Sequence, residues 1–202
     1  MPSGYRPELE SETKRKRLIE KIKRDSIVTR KELITLSSGE KTHFYYDIKT
    51  ILGDPEALDL ISDLMLEEVI KLKGRSVGGL ELGAVPIATS IISKAYKNDI
   101  KVSSFTVRKK PKGHGMKNVI EGNLVHPVVI VDDVITKGRS ISEAMAAVTD
   151  KGKSVRGVVA IIDREDKKSN ALKRKIKYVT LFKHSDFKEY IEEKLRNLKV
   201  SV

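Results

Sequence analysis

The stretch V-V-I-V-D-D-V-I-T-K-G-R-S, Val128 to Ser140, constrains the fold more than any other part of the chain. Val128, Val129, Ile130 and Val131 form a β-branched apolar run without polar alternation, which suits a strand buried on both faces of a parallel sheet. The run ends in Asp132 and Asp133. A loop with Thr136, Gly138 and Ser140 follows, and Ile141 to Val148 then has helical, amphipathic spacing. Strand, short loop and helix N-terminus together make an anion site, because the helix start leaves backbone N–H groups unpaired and its dipole favours negative charge. Gly138 lets the backbone approach the anion closely, and Thr136 and Ser140 supply hydroxyl donors. The two acids stand at the strand's carboxyl end, where open α/β sheets place their ligands. Ribose hydroxyls or a divalent cation would account for carboxylates beside a phosphate site. An ordinary βα turn with solvated acids is the competing reading, and the Walker A pattern is absent.

Bulk properties narrow the classes. A length of 202 residues suits one domain with a full core. No apolar stretch reaches membrane-spanning length, and M-P-S-G-Y-R-P-E-L-E has no apolar signal-peptide region, so neither a membrane segment nor a leader is expected. The absence of cysteine excludes disulfides and thiolate metal sites and fits a cytoplasmic protein. His43, His114, His126 and His184 are scattered without zinc-ligand spacing. The net charge of +12 suits either nucleic-acid binding or a basic enzyme for polyanionic small molecules. Aromatic residues make up only 5%, with no basic–aromatic interleaving, which argues against a single-strand stacking platform. Charged residues reach 34%, against about a quarter ordinarily, and with no Cys, Gln or Trp this leans towards a heat-adapted, ionic surface.

Along the chain, Glu8 to Asp25 reads as a charged surface helix with a narrow apolar stripe (Leu9, Leu18, Ile22), a solvated lid rather than a DNA-recognition helix. Lys31 to Thr35 and the run K-T-H-F-Y-Y-D-I, split by S-S-G-E, read as a hairpin. Asp54-Pro55 opens a helix with Leu58, Ile61, Leu64, Met65, Val69 and Leu72 at helical spacing, and Gly74 is expected to stop it. R-S-V-G-G-L-E reads as a strand whose Gly78-Gly79 implies another backbone close by. Pro86 is expected to start the next helix, Ile87 to Tyr96, before a strand at Ile100 to Val107. Strands at Ser154 to Ile162 and Ile176 to Phe182 and a charged helix at Asp186 to Leu198 complete the pattern. Alternating strands and helices argue for a mostly parallel sheet with right-handed crossovers. The N-terminal helix and hairpin, roughly residues 1–50, are expected to cap its carboxyl edge, with residues 51–202 forming the α/β core and C-terminal helix of a single domain.

Arg108 to Glu121, R-K-K-P-K-G-H-G-M-K-N-V-I-E, is rich in cations and holds no acid before Glu121. Its low apolar content and Gly113 and Gly115 predict a mobile loop. Cations on a closing loop would stabilise a leaving polyphosphate and exclude water, and a histidine there can donate or carry a proton.

Val128 to Ser140 resembles the phosphoribosyl-pyrophosphate (PRPP) motif of type I phosphoribosyltransferases. R-K-K-P-K-G-H-G resembles the R-K-x-x-K-x-H-G catalytic loop of the orotate phosphoribosyltransferases. S-S-G-E-K-T-H-F-Y-Y-D is similar to that family's segment over the base, and D-R-E-D to its D-R-x-E. The likeness covers roughly Leu33 to Asp166. It implies a type I phosphoribosyltransferase fold with a small N-terminal hood. The implied enzyme is a pentosyltransferase that makes orotidine 5′-monophosphate and pyrophosphate from orotate and PRPP. The residues it implies for PRPP are Arg108, Lys109, Lys112, His114, Asp132, Asp133, Val134, Ile135, Thr136, Lys137, Gly138, Arg139 and Ser140. Lys112, His114 and Asp133 would serve catalysis. Thr136 and Arg164 would hold orotate, the guanidinium forking onto its carboxylate; an ion pair with Glu165 or Asp166 is the alternative for Arg164. The implied cofactor is Mg²⁺ carried on PRPP and water without a required protein ligand, Asp132 and Asp133 being the acids nearest to it. A homodimer sharing the catalytic loop is also implied, with no nucleic-acid or membrane partner. The departures from the pattern are Lys110 (usually Glu), Ser37 (often Lys) and Gly83-Ala84-Val85, a loop that often carries Lys. The last two leave the backbone N–H groups of Leu82 to Val85 as candidate pyrophosphate donors. A phosphoribosyltransferase for a purine or uracil and a non-enzymatic PRPP-sensing regulator are the alternatives.

Overall fold

The computed structural model describes residues 7–36, 39–109 and 119–199. The chain runs α1 (Pro7–Asp25), β1 (Ile27–Thr35), β2 (Lys41–Tyr46), α2 (Ile48–Leu52), α3 (Pro55–Lys71), β3 (Ser76–Leu80), α4 (Ala84–Lys97), β4 (Ser103–Val107), β5 (Ile120–Gly122), β6 (Val128–Ile135), α5 (Arg139–Asp150), β7 (Val155–Asp163), α6 (Asn170–Lys173), β8 (Lys177–Lys183) and α7 (Lys188–Asn197).

The unalternated apolar run becomes an interior strand because helices cover both of its faces. Val129 and Val131 join one apolar cluster with Ile61, Leu64 and Ile87, while Val128 and Ile130 join a second with Ile141, Ala144 and Val148. The six-stranded sheet has the order β5-β4-β3-β6-β7-β8. Only the β4–β5 pairing is antiparallel. From β3 the chain steps outward to β4, then returns to the other side of β3 as β6. The carboxyl ends of β3 and β6 therefore flank a topological switch point, where a crevice opens. Both neighbours press on β3, since a Cβ on Gly78 would meet the Phe105 carbonyl of β4 and one on Gly79 the Val131 carbonyl of β6.

Several boundaries depart from the sequence expectation. Strand β6 continues through the two acids to Ile135, because Asp132 and Val134 keep register with Ala160 and Ile162 of β7. The opening of α3 is as expected, Asp54 capping it with its carboxylate accepting the Ala57 N–H at 2.7 Å. The left-handed residue that ends α3 is Lys73 (φ 56°) rather than Gly74. Gly74 instead closes the turn, N–H to the Val69 carbonyl at 2.9 Å, and leaves room for Val129. Helix α4 starts at Ala84, placing Pro86 inside its first turn, where a missing N–H costs nothing. Strand β5 was not expected; it exists by pairing with β4.

Helix α1 is not a solvated lid. Leu18 and Ile22 are fully buried, and ion pairs Lys14–Asp63 (2.9 Å) and Lys21–Asp54 (3.1 Å) tie it along α3. The β1–β2 hairpin forms a separate antiparallel sheet. It leans over the ends of β7 and β8, with Phe44 beneath Arg164 and Tyr46 bonded to His184.

Candidate active site

Three adjoining clefts open at the carboxyl ends of β3, β6 and β7. One of about 560 Å³ follows the turn into α5, bounded by Asp132, Thr136, Lys137, Gly138, Arg139 and Ser140. One of about 310 Å³ lies over the acids, between Lys49, Leu82 and Gly83 on one side and Arg164 on the other. The third, about 240 Å³, is walled by Glu40, Phe44, Arg164, Asp166 and His184. Thr136 borders all three and joins them into one groove.

The acids are fixed by their own backbone. The Asp132 carboxylate accepts the Asp133 N–H at 3.0 Å, and that of Asp133 accepts the Val134 N–H at 2.8 Å. Burial, and after it the Asp133 charge, holds the Asp132 carboxyl well above the ordinary pKa of 3.8. Lys49 lies 3.7 Å from Asp133. Two neighbouring carboxylates that resist sharing negative charge suit a partner that donates hydrogen bonds or carries positive charge. Among the described residues no group of three or more His, Cys, Asp or Glu side chains could enclose a metal ion.

Past the acids, Ile135 is buried and its carbonyl accepts the Arg164 N–H at 2.9 Å, which ties the start of the Arg164 loop to the end of β6. Gly138 takes a left-handed φ of 76° as it enters α5, a conformation that side chains with a Cβ rarely adopt. Its carbonyl accepts the Ser142 N–H at 3.0 Å, so the N–H groups of residues 139–141 precede the first helical bond and face the turn. Arg139 points to solvent and pairs with Glu143 at 2.7 Å, so its side chain is not committed to the groove.

Arg164 follows β7. Its guanidinium lies 4.9 Å above the Phe44 ring and 3.9 Å from Glu40. Its carboxylate partner is Glu40, neither Glu165 nor Asp166: Glu165 accepts the Ser185 N–H and Asp166 caps the next turn through the Lys168 N–H. At the rim, Arg108 pairs with Glu121 at 3.1 Å and the Lys109 N–H donates to Glu81 at 3.1 Å. Of the candidate pyrophosphate donors, the Val85 N–H is already engaged with the Leu82 carbonyl at 3.3 Å. Lys112 and His114, with Lys110 and Ser37, lie outside the described residues. Lys109, Asp132, Asp133, Val134, Ile135, Thr136, Lys137, Gly138, Arg139, Ser140 and Arg164 border the groove. Sequence reasoning missed Lys49, Glu40, Glu81 and His184, whose places come from contacts distant in the chain.

The fold and groove are those of a type I phosphoribosyltransferase. The solved structure of Mycobacterium tuberculosis orotate phosphoribosyltransferase in complex with PRPP aligns with a TM-score of 0.70 at 32% identity, over 86% of this chain and 98% of that one. No family model matches the chain. Sequence relatives narrow the class. The orotate phosphoribosyltransferase of Aquifex aeolicus is 40% identical over 177 residues, 85% of this chain and 96% of the relative. That of Methanocaldococcus jannaschii is 39% identical over 171 residues, 83% of this chain and 93% of the relative. The chain belongs to the orotate phosphoribosyltransferase family.

Proposed function

We propose that the chain transfers the phosphoribosyl group of PRPP to orotate, releasing orotidine 5′-monophosphate and pyrophosphate, as a step of pyrimidine nucleotide synthesis. The observation that carries this reading is Arg164, a guanidinium set on an aromatic ring across Thr136 from the two acids. A neutral base has no carboxylate to match that fork, whereas orotate does.

In this reading Asp132 and Asp133 accept hydrogen bonds from the ribose 2′- and 3′-hydroxyls, and the turn from Thr136 to Ser140 holds the 5′-phosphate. Thr136 and Arg164 hold orotate. As the glycosidic carbon loses pyrophosphate, positive charge grows on the ribose beside the acids. Negative charge grows on the leaving group, where Arg108, Lys109, Lys112 and His114 would meet it; the matched fields lower the barrier. Mg²⁺ would be carried on substrate oxygens and water, with Asp132 and Asp133 the acids nearest to it. When bound, that ion would neutralise charge on the pyrophosphate. The reading includes a homodimer in which the loop of one protomer reaches its partner's groove, a single domain over residues 1–202, a cytoplasmic location, and no nucleic-acid or membrane partner. Among the described residues no helix is long and apolar enough to cross a membrane.

The test supplies PRPP and Mg²⁺ with orotate, uracil, adenine or guanine in turn and measures pyrophosphate release. Release with orotate alone supports the assignment. Release with another base and none with orotate replaces it, and binding of PRPP without turnover of any base points to a sensor.

A further inference from the structure

The cavity around Arg164 holds a second nitrogen donor that the assigned site does not use. His184, in the turn between β8 and α7, borders that cavity with Thr136 and Arg164. Its ring lies parallel to Phe44, centroids 5.4 Å and planes 10° apart, and its Nδ1 is 2.8 Å from the Tyr46 hydroxyl. Tyr46 is only 8% exposed. Among the described residues its hydroxyl has no other hydrogen-bond partner. We take the tautomer in which the phenol donates to Nδ1, so that neither partner's proton is spent against the other. Burial raises the phenol pKa, so the hydroxyl keeps its proton. Burial, then the Arg164 cation, lowers that of His184, so the ring is neutral. Its one N–H is then Nε2–H.

We propose that His184 is a specificity-determining contact, its Nε2–H donating to an acceptor oxygen of an anionic oxo-pyrimidine held by Arg164. The inference rests on the orotate reading and deepens it. The base would meet one cationic fork and one neutral donor, both set on Phe44, with Tyr46 fixing the tautomer.

The experiment compares His184→Asn and His184→Gln. The Asn amide occupies the Nδ1 position and keeps a partner for Tyr46, whereas the Gln amide reaches the Nε2 position. For His184→Asn the KM for orotate is expected to rise roughly tenfold, the loss of one hydrogen bond to a charged acceptor. The KM for PRPP and kcat should hold, and His184→Gln should restore most of the orotate KM. If Asn melts early, Tyr46→Phe replaces it; freeing Nδ1 is expected to raise the orotate KM as well. Equal behaviour of Asn and Gln, or a parallel change in the PRPP KM, overturns the inference. Orotate consumption by the wild-type protein separates the two claims: if it fails, both fall, and if it succeeds while Asn and Gln behave alike, only this one does.

Discussion

Gly83 faces the carboxylate of Asp133 so closely that a Cβ at position 83 would stand 2.8 Å from its Cγ and Oδ1. The backbone of Gly83 (φ −58°, ψ −41°) is one that any residue adopts, so glycine is needed there for space and not for conformation. The pair seats the acids of β6 against the first turn of α4 across the switch point. Gly83 is the N-cap of α4, where Ala is a poorer residue than Gly, so Gly83→Ala is expected to fold with a small loss of stability. It should raise the KM for PRPP roughly tenfold by displacing Asp133. Steady-state kinetics beside a thermal melt checks this, and an unchanged KM would show that Asp133 does not grip the ribose.

Asp132 carries a stability cost. Its carboxyl pKa in the folded chain is raised by burial, then by Asp133. The folded state thus holds this proton more tightly than the unfolded state does. The group favours folding below its unfolded pKa, and that contribution is lost as pH rises through the folded value. Asp132→Asn removes the slope. The variant is expected to melt above the wild type near pH 7, by roughly 2–4 °C for each kcal/mol relieved. The margin should shrink towards acid pH, where the wild-type carboxyl is protonated, and PRPP binding should be lost. A margin that grows on acidification would contradict the assignment.

Glu40 sits where an incoming carboxylate would pair, 3.9 Å from Arg164. Replacing it with Gln releases the guanidinium. Because the pair is loose and half-exposed, the effect is small: the orotate KM should fall by at most about fivefold. A rise would mean that Glu40 supports the site instead of competing for it.

The proposed reaction gives Lys112, outside the described residues, the task of meeting charge on the leaving pyrophosphate. Lys112→Ala is expected to lower kcat by a hundredfold or more, on the order of the loss of a transition-state donor, while orotate binding stays intact. Turnover equal to wild type would remove that role.

How far the chain could be read follows from where its constraints are local. The β-branched run at Val128 to Val131, the cap at Asp54-Pro55 and the Gly78-Gly79 contact each rest on neighbouring residues, and each stands in the fold. The groove's motif residues were legible for the same reason. The burial of Leu18 and Ile22 was not, since charge outnumbers apolar residues along α1 and its docking depends on Asp54 and Asp63 of the next helix region. Strand β5 is three residues that exist only through β4. His184 meets Tyr46 across 138 positions, and no spacing rule reaches that far.

The proposed specificity depends on Arg164 reading a carboxylate, and the most direct test is the ratio of kcat/KM for orotate to that for uracil, the same ring without that group. The wild type should favour orotate strongly. Arg164→Ala should collapse the ratio by about ten- to a hundredfold, the worth of a charge-assisted hydrogen bond, and Arg164→Lys should not restore it, because an ammonium lacks the planar fork. A ratio unchanged by Arg164→Ala would contradict the claim.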